Sequence, residues 1–204
     1  MRLWRNTAAA ALTGSQSLTL GSGLNTLGYE WDVDANNGYY AKQAVRMAEQ
    51  FQEFNIGWFE EPVIADDIPG LAQVARATSI PVATGEHEYT KYGFRDLITA
   101  GAVDIVQADI GRVGGVTEWM KVAHMAAAFN LPMAPHAYCL LHLHPAMATP
   151  NLMVVEILDI EWDGMKKWLI DPALPKDGYW RADPDRPGNG VEVDPRAIKK
   201  YGID

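Results

Sequence analysis

Ile56-Gly57-Trp58-Phe59-Glu60-Glu61-Pro62 is a short apolar run that stops abruptly on two carboxylates. An apolar stretch of this length, without polar alternation, suits a strand buried on both faces of a parallel sheet. The same pattern recurs in both directions along the chain. Upstream lies Tyr29-Glu30-Trp31-Asp32-Val33. Downstream lie Ile80-Pro81-Val82-Ala83, Val103-Asp104-Ile105-Val106, Leu131-Pro132-Met133-Ala134 and Leu152-Met153-Val154-Val155. Helical patterns separate them, at Gly38 to Phe54 (Tyr40, Ala44, Met47, Ala48 and Phe51 on one face), Asp67 to Ala77, Phe94 to Ala100 and Gly115 to Phe129. The strands are followed in turn by Asp34, Glu60, Glu86, Asp109, His136 and Glu156, at intervals of 26, 26, 23, 27 and 20 residues. One strand, one helix and two loops use up about that length, since a βαβ unit runs to ~30 residues.

Six ionisable groups in phase at strand C-termini predict an α/β fold of the (β/α)8 type, in which those ends converge on one mouth. A doubly wound open sheet with polar loop residues is the alternative. Complete barrels need ~250 residues, so about six βα units in 204 predict an incomplete barrel. Residues 1–28 contain no Asp, Glu or Lys and are rich in Ala, Thr, Ser, Gly and Leu. Arg2 and Arg5 before Ala8 to Leu12 faintly resemble a secretory signal, but the apolar stretch is short and no cleavage site follows. This segment reads as weakly structured. The expected division is therefore 1–28, then a partial barrel domain over 29–204 whose Trp-, Pro- and Asp-rich tail, 160–204, closes over it.

Composition narrows the partners. With 17 basic against 26 acidic residues the net charge is -9, and no basic stripe is available for a phosphate backbone. No apolar run approaches the ~20 residues of a membrane span. Nucleic acid and membrane are excluded as primary partners. The lone Cys139 points to a reducing compartment, hence the cytoplasm. The unpaired strand edges of an incomplete barrel predict self-association into a homo-oligomer.

Three carboxylates converging in one mouth repel each other unless a cation sits between them. Asp34, Glu60 and Glu86, all hard oxygen donors, suit Mg²⁺, with Mn²⁺ tolerated and Zn²⁺ disfavoured. Each acid taken alone reads equally well as a solvated loop residue. Asn36, two residues past Asp34, either hydrogen-bonds a ligand or caps the next helix. Adjacent strands lie ~4.8 Å apart, so Asp109 and His136 can touch. A carboxylate on one imidazole nitrogen fixes the tautomer and makes the other nitrogen a better base. For Glu156, the apolar neighbours Val154, Val155 and Ile157 predict a raised pKa; pairing with an Arg is the alternative.

Asp32-Val33-Asp34-Ala35-Asn36, Trp58-Phe59-Glu60-Glu61-Pro62, Gly85-Glu86-His87, Gln107-Ala108-Asp109, Gly114-Gly115-Val116-Thr117-Glu118 and Pro135-His136-Ala137 resemble, in order and spacing, the enolase superfamily. The branch is that of mandelate racemase and muconate lactonizing enzyme, matched from about Glu30 to Asp204. The run Gly85 to Thr90 with Tyr92-Gly93-Phe94-Arg95 leans toward acid-sugar dehydratases of the rhamnonate dehydratase-like type. The resemblance implies Asp34, Glu60 and Glu86 as Mg²⁺ ligands, with Glu61 facing a neighbouring group as support. It implies His136 with Asp109 as the base that removes the proton α to a substrate carboxylate. Glu156, protonated, would donate a hydrogen bond to that carboxylate, and His87 could contact sugar hydroxyls. His142 and His144 are expected on the surface or in packing. The glycines after Arg112 are expected to open a helix at Val116.

The implied activity is Mg²⁺-dependent dehydration of an aldonate to a 2-keto-3-deoxy acid. Racemisation, epimerisation or cycloisomerisation on the same chemistry is the alternative, as is a truncated, inactive barrel fragment. Family members carry a capping domain and a Lys motif on the second barrel strand. Here the first Lys is Lys42, already beyond Asp34, which disfavours a two-base racemase.

Overall fold

In the computed structural model, residues 3–11, 17–21, 31–137, 139–176 and 179–202 are described. Four strands pair in parallel and in chain order: β3 (Trp31–Asp34), β4 (Ile56–Glu60), β5 (Val82–Thr84) and β6 (Ile105–Val106). Helices return the chain between them: α1 (Ala41–Phe51), α2 (Ile68–Ala77), α3 (Thr90–Thr99), and after β6 the short α4 (Ile110–Val113) and α5 (Val116–Ala128). The local chemistry sets these boundaries. Asp67 accepts from the Gly70 N–H at 2.9 Å and caps α2, whose first turn also tolerates Pro69. Left-handed Gly114 and Gly115 (φ 114° and 87°) separate α4 from α5, as the glycine pair predicts. Among the described residues, no helix is long and apolar enough to cross a membrane.

The pairing continues past β6. Met133 bridges Val106 on one side and Leu152 on the other, both parallel, and the chain enters α6 (Cys139–Met147) between them. The run 131–134 thus contributes a single bridge. The final strand, β7 (Val155–Leu158), starts three residues later than the apolar run suggests, because Asn151 and Met153 are committed to Met133. β7 pairs in parallel with β1 (Leu3–Ala11), which pairs antiparallel with β2 (Ser17–Gly21), and β2 runs antiparallel to β3. The order is β6-β5-β4-β3-β2-β1-β7, and the Met133 bridges return it to β6.

Residues 3–11 and 17–21 are therefore strands, which corrects the expectation of weak structure for those positions; the rest of 1–28 lies outside the described residues. The physical reason is edge satisfaction. β3 and β7 each present a row of unpaired backbone groups, which any extended segment can pair with whatever its side-chain pattern. The expected open edge is occupied by this hairpin.

Apolar side chains sort into two clusters by strand alternation. Val33, Phe59, Val82, Val106, Met133 and Val155 face outward and pack with α1 to α6. Trp58, Ala83, Ile105, Ala134 and Val154 face the other way and meet inside the ring. The tail, described over 160–176 and 179–202, packs Trp162 of α7 (Asp159–Met165) and Trp180 into the outer core cluster, and is held together by their edge contact, a Leu169–Val193 bridge, and Trp168 against Tyr201 of α8 (Pro195–Tyr201).

Candidate active site

Side chains two residues apart on a strand share a face. Stepping two residues C-terminal from the interior layer leads from Trp58 to Glu60, Ile105 to Gln107, Ala134 to His136 and Val154 to Glu156; Asp34 ends β3 in the same layer. All five of these polar residues are buried. The strand pleat, rather than any loop, delivers this polar layer directly on top of an apolar one. Glu86 arrives differently. Gly85 takes φ 133° at the end of β5, and a Cβ there would stand 2.7 Å from the Phe94 ring. Only glycine permits the kink that brings Glu86 to the mouth.

His136 and Asp109 touch as the strand spacing predicts: His136 Nδ1 lies 2.9 Å from Asp109 Oδ2. The other Asp109 oxygen accepts from the Gly111 and Arg112 N–H groups at 2.6 and 3.2 Å, so Asp109 also caps α4. Burial opposes its charge, but the His136 bond and the cap hold its carboxyl below the usual range. Burial likewise opposes a charged His136. The Asp109 bond and the Glu156 and Glu86 charges outweigh it and push the imidazole up to about 9. Its second nitrogen, Nε2, stands 3.4 Å from Glu86 Oε2.

The acids are strained by their company. Burial first, then the Glu86 charge, pushes Asp34 up to about 6, although the Asn36 N–H at 2.7 Å pulls the other way. Glu60 sits well above the usual range through burial and the Asp34 and Glu156 charges. Hydrogen bonds from Trp58 Nε1 at 3.0 Å and from Gln107 moderate the shift. Burial pushes Glu156 up to about 7; its Oε2 accepts from the Ala137 N–H at 3.0 Å rather than from an arginine. Glu61, left-handed at φ 38°, lies beside Glu86 and His87 at the edge of this group. It accepts from Asn37 at 2.5 Å and lies 2.8 Å from His87 Nδ1, and burial and Glu86 push it up to about 7.

The tightest group of ligand atoms among the described residues is Glu61, Glu86 and His87, all within 4.8 Å of one another. The Glu61–His87 contact accounts for that proximity. Asp34, Glu60 and Glu86 are the all-oxygen set. Each acts electrostatically on at least one other, and the Gln107 Oε1 beside Glu60 is buried without a hydrogen-bond partner among the described residues. Surplus buried negative charge with only oxygen donors fits a hard divalent cation such as Mg²⁺.

Asn36 is exposed and caps no helix, a correction to that alternative: Tyr40 precedes α1, and the Asn36 N–H serves Asp34. Sequence reasoning missed Asn37, Gln107 and Arg112. Arg112 Nη1 donates to the Glu86 carbonyl at 3.0 Å and approaches its carboxylate at 3.3 Å, while its Nε lies 3.7 Å from Asp109. The helical interval of three from Asp109 is the one signal that could have found it.

This arrangement, titratable side chains gathered at the C-terminal ends of a parallel sheet flanked by helices, is that of an α/β domain with a candidate active site. Residues 25–197 match the enolase C-terminal domain-like family, and the chain belongs to it. It is 33% identical over 171 residues to the 3,6-anhydro-alpha-L-galactonate cycloisomerase of Streptomyces coelicolor, covering 84% of this chain and 46% of that protein. It is 41% identical over 118 residues to the L-talarate/galactarate dehydratase of Salmonella typhimurium, covering 58% of this chain and 30% of that protein. The crystal structure of an enolase from Bradyrhizobium complexed with magnesium and mandelic acid superimposes with TM-score 0.77 at 30% identity, over 84% of this chain and 46% of that one. The chain thus spans less than half the length of the relatives it matches.

Proposed function

We propose that this domain carries out Mg²⁺-dependent dehydration of a sugar acid to a 2-keto-3-deoxy acid. The observation that carries the reading is the His136–Asp109 pair at 2.9 Å, with its free nitrogen facing the buried carboxylates. Asp34, Glu60 and Glu86 would hold Mg²⁺, which supplies charge neutralisation for the acids and for a substrate carboxylate. The rest is done by the chain's own groups. Asp109 keeps the proton on His136 Nδ1; once the Glu156 and Glu86 charges that help hold the imidazole up at about 9 are neutralised, Nε2 is left unprotonated to take the proton α to the substrate carboxylate. Glu156, carried toward its protonated form by burial, donates a hydrogen bond to that carboxylate as charge develops. His136 then returns its proton to the departing β-hydroxyl. One C–H and one C–O bond break, water leaves, and the enol tautomerises to the 2-keto-3-deoxy acid.

A second reading, cycloisomerisation, is supported by the similarity to the Streptomyces cycloisomerase across 84% of the chain; it uses the same proton abstraction with an internal oxygen as leaving group. Incubation with aldonic and aldaric acids and Mg²⁺ in D₂O separates the two. Dehydration gives a 2-keto acid lighter than its substrate by one water, cycloisomerisation gives a 2-keto acid of unchanged mass from a substrate with an internal oxygen bridge, and racemisation gives deuterium at the α-carbon with no 2-keto acid. Absence of all three would sink the enzymatic reading and leave a catalytically inactive barrel fragment.

A further inference from the structure

Beyond the acid–base pair, one buried imidazole is held in a single protonation state. His142, on α6, is fully buried. Its Nε2 accepts from the Ile110 N–H at 2.9 Å, and its Nδ1 lies 2.9 Å from the Ala137 carbonyl oxygen. A backbone N–H can only donate and a carbonyl can only accept. The ring is therefore the neutral tautomer with its proton on Nδ1. An imidazolium would turn a donor against the Ile110 N–H.

The two backbone groups it joins are not arbitrary. Ile110 follows Asp109, and Ala137 follows His136. On the first side, Trp119 packs against the His142 ring at 5.8 Å and donates its indole N–H to the Ala108 carbonyl at 3.0 Å. Residues 108, 109 and 110 are thus fixed one after another. On the second side, Ala137 is left-handed, φ 42°, a conformation that a non-glycine residue keeps only when its surroundings impose it. Its N–H is held by Glu156 and its carbonyl by His142. That turn aims the His136 ring.

We propose that His142 is a positioning residue. By tying Ile110 to Ala137 it holds the loop carrying Asp109 at a fixed distance from the turn carrying His136, and so sets the 2.9 Å contact on which proton abstraction depends. Its effect on turnover rests on the dehydratase reading above; its effect on the pair's geometry does not.

The test uses three variants of the full chain. His142→Phe keeps the ring's bulk and removes both hydrogen bonds. His142→Gln places an acceptor where Nε2 was and serves Ile110 alone. His142→Asn places a donor where Nδ1 was and serves Ala137 alone. Circular dichroism checks folding. Nitrogen-15 NMR reads the bonded Nδ1 proton of His136, and amide hydrogen exchange reads Ile110 and Ala137. Turnover is measured as 2-keto acid formed from whichever sugar acid the wild type processes.

His142→Phe should stay folded, lose the ordered His136 signal and lose about 10–100-fold in kcat with little change in KM, as expected for misplacing a catalytic group. Gln should restore protection at Ile110 only and Asn at Ala137 only, each with partial recovery of the His136 signal. The proposal is overturned if His142→Phe keeps the wild-type His136 signal. It is equally overturned if all three variants lose folded structure in parallel without selective rescue. A wild type that forms no 2-keto acid sinks the dehydratase reading, while the NMR and amide measurements still decide the role of His142.

Discussion

The buried acids make a quantitative prediction about Mg²⁺ and pH. Asp34 binds its proton at about 6 in the fold against 3.8 ordinarily, and Glu61 and Glu156 at about 7 against 4.5. A group with a raised folded-state pKa contributes stability that is full below its ordinary value and lost as pH rises through the folded value. His136, raised from 6.5 to about 9, acts in the same direction. Asp109, held low, acts only in more acidic solution. The cation-free protein should therefore lose stability from about pH 4 to about pH 9, the reverse of ordinary acid denaturation. One carboxyl moved from 4.5 to about 7 corresponds to ~3 kcal/mol, and the acids share rather than add this cost because they interact.

Magnesium binding to the charged cluster should offset the loss. At one hundred times its Kd a ligand contributes ~2.7 kcal/mol, which for a chain of this size raises Tm by roughly 5–10 °C. Thermal melts in EDTA and in saturating Mg²⁺, at about pH 5 and about pH 8, measure both effects. The Mg²⁺-induced rise should be several-fold larger at the higher pH. A Tm in EDTA that climbs with pH, or an Mg²⁺ effect equal at both, would refute the reasoning.

Four substitutions extend this. Glu60→Gln removes one charge from the cluster, so it should raise Tm in EDTA while abolishing most of the Mg²⁺ response, read in the same melts. His136→Asn should cut α-proton exchange by ~10²–10⁴-fold with Mg²⁺ binding by calorimetry unchanged; Asp109→Asn should be milder, because the imidazole remains and loses only its orienting anion. Trp119→Ala, at a fully buried side chain on α5, should cost about 3–5 kcal/mol in urea unfolding, and a loss below about 1 kcal/mol would show that this region repacks freely.

Much of the fold was legible because its signals are local and periodic. The apolar runs are each followed by an ionisable group, and the period-two pleat places Asp34, Glu60, His136 and Glu156 in the ring's interior polar layer, whereas Glu86 needs the kink at Gly85. The same local logic gave the contact between Asp109 and His136, since neighbouring strands have one spacing. The helices at Ile68 and Val116 were legible from Asp67 and the glycine pair, whose capping and conformational preferences need no tertiary context. Other features had no local signature. The pairing of residues 3–11 and 17–21 with β7 and β3 depends on backbone groups left open elsewhere, which a poorly alternating, alanine-rich segment does not advertise. Glu61 and Ala137 turn where a left-handed φ redirects the chain, and neither residue type announces it. His142 reaches Ile110 across 32 residues of sequence and joins it to Ala137. Periodicity, caps and strand ends act between residues a few positions apart, so the sequence by itself determined them. Hydrogen bonds between distant segments exist only once the ring of strands has brought those segments together, so the tertiary structure alone decided them.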